Sequence, residues 1–280
     1  MHSRSSTNRT DTTLDAGPNS SRRSRLDNIK NHIHHPMHHL NQRRDAIRGF
    51  SPAWFTACMG TGITSTSIHS FPYYWDPLRY ISMVLAGLTL LMVVVFTVLF
   101  IWRLVKHRDF FDILYHPQIG LTLGAIPMAY STLTTCIATI LGWYHLTWVP
   151  TLVVVLWAIS VAMSIASLLA VPFALMSHQG HPFDKVTAAL FMPVVPGVVA
   201  AAAGGTVASV QNVGSVAVNI IIASYVLLGA GLGIVLMFLT FYFIRLVLFK
   251  LPPRETIASV FLPLGPLGQA TNATLLLGTQ

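Results

Sequence analysis

The stretch SPAWFTACMGTGI, residues 51–63, decides how the rest of this chain is read. It opens on a proline, runs through Trp54 and Phe55, and sets Gly60 and Gly62 among Thr56, Thr61, Thr64 and Ser65 without a single charge. In a soluble helix each glycine costs about 1 kcal/mol relative to alanine. Inside a bilayer the same residues let a second backbone or a solute come close, and hydroxyls supply hydrogen bonds along the way. Three later stretches repeat the design: HPQIGLTLGAIPMAYSTLTT at 116–135, LFMPVVPGVVAAAAGG at 190–205 and FLPLGPLGQAT at 261–271.

Around these stretches the chain is 53% hydrophobic and 9% charged, against about 25% charged in ordinary soluble domains. That balance predicts an all-α integral membrane protein. From Phe50 onward seven apolar runs, at 52–71, 79–105, 118–141, 148–176, 186–207, 216–249 and 257–278, are each of the roughly 20-residue length that crosses a hydrocarbon core of about 30 Å. The even runs, such as LAGLTLLMVVVFTVLFIW, read as plain lipid-facing spans rich in Leu, Val and Ile. The odd runs are the broken ones. Alternation of the two types suggests helical hairpins with broken helices inside and plain ones outside, and the inside would be a pore.

Half of the charges fall in the first 48 positions, so the formal charge of +8 belongs to tails and loops and reads as membrane orientation, not as a nucleic-acid footprint. Residues 1–48 read as a disordered basic cytoplasmic arm, too poor in apolar side chains to offset the entropy of ordering. Its run of His32, His34, His35, His38 and His39 reads as solvated low-complexity sequence rather than a metal site. Residues 49–280 form the membrane domain. Sixteen of the seventeen Lys and Arg lie in the arm or in the loops after runs two, four and six. Only Arg79 falls on the other side. By the positive-inside rule the N-terminus is cytoplasmic. The sequence points to no cofactor, no metal and no nucleic acid, and a membrane enzyme lacks support: paired carboxylates, HExxH, a Ser-His-Asp set and GxxxxGK[ST] are all missing from the runs.

Cys58 and Cys136 lie in apolar runs and read as small buried thiols. His69, His116, His145, His178 and His181 fall near the ends of runs and read as interfacial groups, while Phe71, Tyr73, Tyr74, Trp75, Trp143, Tyr144 and Trp148 read as an outer aromatic belt. For an anion path without fixed charge, the available donors are hydroxyls, amides freed beside Pro and Gly, and positive helix ends. The candidate pore-lining residues are Gly60, Thr61, Gly62, Pro127, Ser131, Pro193, Pro196, Gly197, Pro263 and Pro266. A single glycine or proline there serves packing or a kink more often than it touches a solute. The fourfold recurrence in one helix class is what favours a path.

The opening FSPAWFTACMGTGITSTSIHSFPY and the later LPPRETIASVFLPLGPLGQ are similar to the tellurite-resistance and dicarboxylate transporter family, and within it resemble most closely the fungal sulfite efflux pumps. The resemblance runs from about Phe50 to Gly278. It implies ten membrane helices in five hairpins, in pseudo-five-fold symmetry around a central pore lined by the odd helices, a fold shared with plant guard-cell anion channels. Against those ten, the seven runs here lead us to expect a chain that stops after the seventh helix. The function implied is export of a small inorganic anion, with sulfite favoured, across the plasma membrane. Malate or another C4-dicarboxylate, an anion channel, and an inactive fragment of such a protein stay open as alternatives, and so does a homo-oligomer. The orientation is testable directly: cysteines introduced at Tyr74 and Asn212 should react with an impermeant thiol reagent added outside intact cells. Labelling only after permeabilisation would reverse the topology.

Overall fold

The computed structural model describes residues 50–73, 75–107, 110–116, 119–178, 187–212, 214–250 and 257–279. The basic arm 1–48 with its histidine run, together with Tyr74, His181 and Lys185, lies outside the described residues, and the side chain of His178 does too. Among the described residues all regular structure is helical: α1 (Phe55–His69), α2 (Asp76–His107), α3 (Phe110–Tyr115), α4 (Ala125–Gly142), α5 (Val149–His178), α6 (Val195–Ser209), α7 (Gly214–Phe249) and α8 (Leu264–Gly278). The all-α expectation holds, and the seven apolar runs map onto α1, α2 and α4 to α8. The short α3 was not expected. It tucks Ile113 and Leu114 into the core beside α5, in a stretch that its flanking charges made look like loop.

Each odd run is interrupted in the same place. A 3-10 turn comes first, at Pro52–Trp54, Gly120–Gly124, Ala188–Phe191 and Ile257–Phe261, and the α-helix follows it. Pro127, Pro196 and Pro266 then sit in the first turns of α4, α6 and α8. A first-turn proline lacks an N–H that would have had no helical partner anyway, so the breaks lie at helix starts and not in the middle. The break also has a use in length. A 15-residue helix such as α1, α6 or α8 spans only about 22 Å, short of a hydrocarbon core of about 30 Å. The preceding 3-10 turn extends it. Among the described residues, four helices are long and apolar enough to cross unaided: α2, α4 with its 3-10 turn, α5 and α7.

The inner helices pack as an arc, α1 on α4, α4 on α6 and α6 on α8, while α2 lies against α1 and α4, α5 against α4 and α6, and α7 against α6 and α8. Burial separates the layers: 72% of the apolar stretch of α4 is buried, against 17%, 28% and 33% for α2, α5 and α7. Helix α6, like α4, is met by four helices, and its sequence VPGVVAAAAGGTVAS is the smallest in bulk, which lets them approach it. Neighbouring inner helices meet at glycines. A Cβ on Gly62 would lie 2.5 Å from Thr132 Cγ2, one on Gly124 would lie 2.0 Å from the Met192 carbonyl oxygen, and one on Gly205 would lie 2.8 Å from Leu276 Cβ.

The even helices are not plain on their inner faces, which corrects the sequence expectation. From α5, Ser167 Oγ donates to the Pro193 carbonyl at 3.2 Å, Ser164 Oγ to Pro196 at 3.3 Å and Trp157 Nε1 to Ala200 at 2.9 Å. These are carbonyls at and just after the α6 break. Between α1 and α2, Ser65 Oγ donates to the Ser82 carbonyl at 2.7 Å and Ser82 Oγ returns one to Ser65 at 3.0 Å. Thr89 donates to Thr61 Oγ1 at 3.1 Å, and Thr97 and Tyr130 share a hydrogen bond at 3.0 Å. In a medium without water such groups need partners, and each interhelical bond contributes on average about 0.6 kcal/mol. Helix α5 also carries Pro172 in its interior. The glycine contacts give a stability test. Gly124→Ala forces a methyl group against backbone and should destabilise the fold by about 1 to 3 kcal/mol or more, read as a lowered Tm in detergent, whereas Gly87→Ala, with nothing within 4 Å, should leave Tm unchanged.

Candidate functional site

Beyond the breaks the four inner helices separate toward their C-terminal ends and leave a cavity of about 920 Å³. Every inner helix contributes to its wall: Ile63, Thr66 and Ser67 from α1, with Ser70 just past its end; Thr132, Thr135, Ala138, Thr139 and Gly142 from α4; Val199, Ala202, Ala203, Thr206 and Ser209 from α6; Gly268, Gln269, Asn272 and Leu276 from α8. The 143–150 and 210–212 connections rim it. The walls lie downstream of the break in every inner helix, from mid-helix to the C-terminal end in α1, α4 and α6 and from Gly268 onward in α8.

The hydroxyls divide into two groups. Thr66, Thr132, Thr135 and Ser209 donate to carbonyls of their own helices, and Gln211 donates to the Pro150 and Val207 carbonyls. Ser67, Thr139, Thr206, Gln269 and Asn272 make no side-chain hydrogen bond among the described residues. Each inner helix therefore presents at least one uncommitted polar side chain to the same space. Among its described walls the cavity has no Lys, Arg, Asp or Glu, and His145, at φ 49° in the rim, is the one titratable side chain. Nearby, Arg79 stacks its guanidinium over the Trp143 ring, 4.9 Å from the centroid. Phe71, Tyr73, Trp75, Trp143, Tyr144 and Trp148 are exposed at this end, where an aromatic belt was expected. Two buried cations lie at the break end instead: Arg103 donates to the Phe50 carbonyl, and Arg245 donates to the Lys250 carbonyl at 2.9 Å.

None of the ten residues singled out from the sequence lines this cavity. They lie on its break side. Gly60 is exposed with open space beside it, and Thr61 is bonded to Ala57, Cys58 and Thr89. Gly62 packs against Thr132, Thr89 and Cys136, while Gly197 faces Gly231 and Leu227 of α7. Pro127 and Pro266 are buried, as are Pro193 and Pro196, whose carbonyls accept from α5, and Pro263 is half-buried. Ser131 is different. It is fully buried with an unpartnered Oγ, one helical turn below Thr135 on the helix face that lines the cavity.

Sequence reasoning missed Ser67, Thr139, Thr206, Gln269 and Asn272. Their signal was a polar stripe at three- to four-residue spacing downstream of each break, as in Thr132, Thr135, Thr139 and Gly142. The candidates drawn from proline and glycine lie one to three turns before this stripe.

Residues 49–280 match the family described as voltage-dependent anion channel, SLAC1. This chain belongs to that family. Relatives include the sulfite efflux pump SSU1 of Arthroderma benhamiae, 37% identical over 235 residues that cover 83% of this chain and 62% of the relative. The proteins of the same name from Candida albicans and Saccharomyces cerevisiae are 30% and 26% identical, over 84% and 82% of this chain and 49% and 57% of theirs. The chain thus spans about three-fifths of the length of its nearer SSU1 relatives. Membership in a family of membrane anion channels agrees with a sequence that offers no catalytic constellation.

The cavity is open to test by chemistry. A cysteine at Asn272 should react with a small hydrophilic thiol reagent, whereas native Cys58 and Cys136, both free and buried, the latter bonded to the Gly62 carbonyl at 3.3 Å, should stay unlabelled in the folded protein. Equal labelling of all three would mean that the cavity is not the water-accessible space.

Proposed function

We propose that this protein exports a small inorganic anion, with sulfite as the favoured substrate, across the plasma membrane with its N-terminus in the cytoplasm. One observation carries the reading: uncommitted neutral donors from four neighbouring helices converge on a single cavity whose described walls hold no fixed charge. Conduction needs binding favourable enough for the anion to arrive and weak enough for it to leave, and hydroxyls and carboxamides supply that better than a buried guanidinium. Sulfite is favoured over malate because the relatives that the chain resembles across most of its length are sulfite efflux pumps.

In this reading the path leads from the breaks to the cavity past Ser131. The helix starts at Pro127, Pro193–Pro196 and Pro263–Pro266 supply the positive ends that attract an anion to the cytoplasmic mouth, and Gly60 and Thr61 flank the way. Gly62 and Gly197 act by permitting close helix approach. The test is efflux of radiolabelled sulfite and malate from vesicles holding the full-length protein. Thr139→Val and Thr206→Val each keep side-chain volume and remove one donor, so each should slow sulfite efflux about tenfold, the size of one hydrogen bond to a charged group, at unchanged membrane abundance. Leu91→Phe, on the lipid face of α2, should not change it. Wild-type efflux from the Thr139→Val, Thr206→Val double variant, or malate moving faster than sulfite, would defeat the reading.

A further inference from the structure

We infer that Arg103 is an oxyanion-binding site: a phosphate-type anion, carried on a lipid headgroup or free in solution, sits against its guanidinium where α2 meets the start of α1. Helix α2 is an outer helix, so the site stands apart from the cavity and does not depend on what the cavity transports. Its basis is a buried cation that no carboxylate among the described residues neutralises.

Arg103 is only 7% exposed. Its guanidinium donates to the Phe50 carbonyl, and its Nε is buried without a hydrogen-bond partner. Guanidinium groups keep their proton in proteins and carry five N–H donors, so one neutral carbonyl satisfies one donor and none of the charge. Phe96, Phe100 and Arg103 fall at four- and three-residue spacing on one face of α2. The neighbours on that face are apolar: Phe96 packs on Phe50 with ring centroids 5.7 Å apart, and Phe100 is edge-on to Phe55 at 6.4 Å. An ionised side chain held among such groups is costly unless an opposite charge reaches it. At Arg103 that charge comes from a ligand.

Depth selects the ligand. With 32 residues, α2 is about 48 Å long, against about 30 Å of hydrocarbon and about 40 to 45 Å with the headgroups included. Arg103 lies one turn before the end of α2 at His107, about 6 Å along the axis, which sets it at the level of the lipid phosphates. Lys106 is three residues further on, exposed, and on the same side of the helix. A planar guanidinium matches the oxygens of a phosphate two at a time, and an ammonium adds a point charge, so the two side chains meet one anion from within and from the headgroup side.

The arrangement recurs on α7. Tyr242 and Arg245 are followed there by Leu246 and Val247, as Phe100 and Arg103 are by Leu104 and Val105. Tyr242 is edge-on to Phe191 at 5.9 Å. Phe191 ends the 3-10 turn before α6, and Phe55 follows the 3-10 turn before α1. Arg245 is buried as well, so an aromatic side chain and an arginine set against a break belong to the repeat. Because Arg103 also grips the Phe50 carbonyl, an anion held there steadies the entry to the first break.

The test is thermal unfolding of the full-length protein in detergent after lipid removal. Inorganic phosphate and dioleoyl phosphatidic acid are the two probes, with sodium chloride at matched ionic strength and diacylglycerol as their controls. A probe at a hundredfold excess over its Kd should raise Tm by about 5 °C or more. A rise with phosphatidic acid alone assigns the site to a lipid headgroup, and a rise with inorganic phosphate assigns it to a free anion as well. Arg103→Gln, which keeps a donor for Phe50 and removes the charge, should lose the rise. Lys106→Gln should shift the midpoint of the titration about tenfold upward, the size of one hydrogen bond to a charged group, and Arg79→Gln, at the other end of α2, should leave it unchanged. Lys106 is exposed, so its variant decides the question should Arg103→Gln fail to fold. No rise with either probe, an equal rise with the controls, a full rise in folded Arg103→Gln, or an unmoved midpoint in Lys106→Gln would each overturn the inference and leave anion export standing.

Discussion

Gly124 meets the Met192 carbonyl where the breaks before α4 and α6 touch, and a methyl group there would stand 2.0 Å from the oxygen. Contacts of this closeness recur along the arc, at Gly62 between α1 and α4 and at Gly205 between α6 and α8. In a lipid environment no water is released when two apolar helices meet, so association depends on dispersion contact and on hydrogen bonds, and both need short distances. Glycine supplies those distances. The cost in helix propensity is small beside the packing it permits, because the membrane itself enforces helical backbone.

Inner-helix carbonyls keep a second lone pair beyond their helical hydrogen bond. The outer helices answer with Trp157, Ser164 and Ser167, whose spacing places them on one face of α5 opposite Ala200, Pro196 and Pro193. Helix α2 does the same toward α1 with Ser82 and Thr89. The outer helices are thus two-sided: Leu91, Val94 and Val98 face lipid, and a thin polar stripe faces inward. These side-chain bonds tie each broken inner helix to its striped outer partner.

The breaks and the cavity occupy opposite ends of the inner helices, and this separation bears on function. Positive helix ends and both buried arginines gather at the break end, while neutral donors gather in the cavity. On the proposed export reading, an anion would leave the region of strongest attraction before it reaches the space lined by hydroxyls and carboxamides. The proposed path would have no deep electrostatic trap, in keeping with a family of anion channels.

The sequence by itself determined the helical class, the membrane setting, the seven apolar runs and the four breaks, because each follows from local properties: run length, charge, and proline in a first turn. It also marked Cys58 and Cys136 as buried thiols from their apolar surroundings alone. The site was less legible. Gly62 and Gly197 stood among the candidate pore-lining residues, with packing the commoner role, and they face Thr132 and Gly231, since a glycine's neighbour is chosen by a helix far away in the chain. Thr135 and Thr139 are alike in sequence, yet the hydroxyl of one is bonded to Ser131 and that of the other is left for the cavity. Only the tertiary arrangement decided which polar groups are spent on the protein's own backbone and which converge from α1, α4, α6 and α8 on one space, because hydrogen bonds form over about 3 Å and depend on which helix ends up opposite.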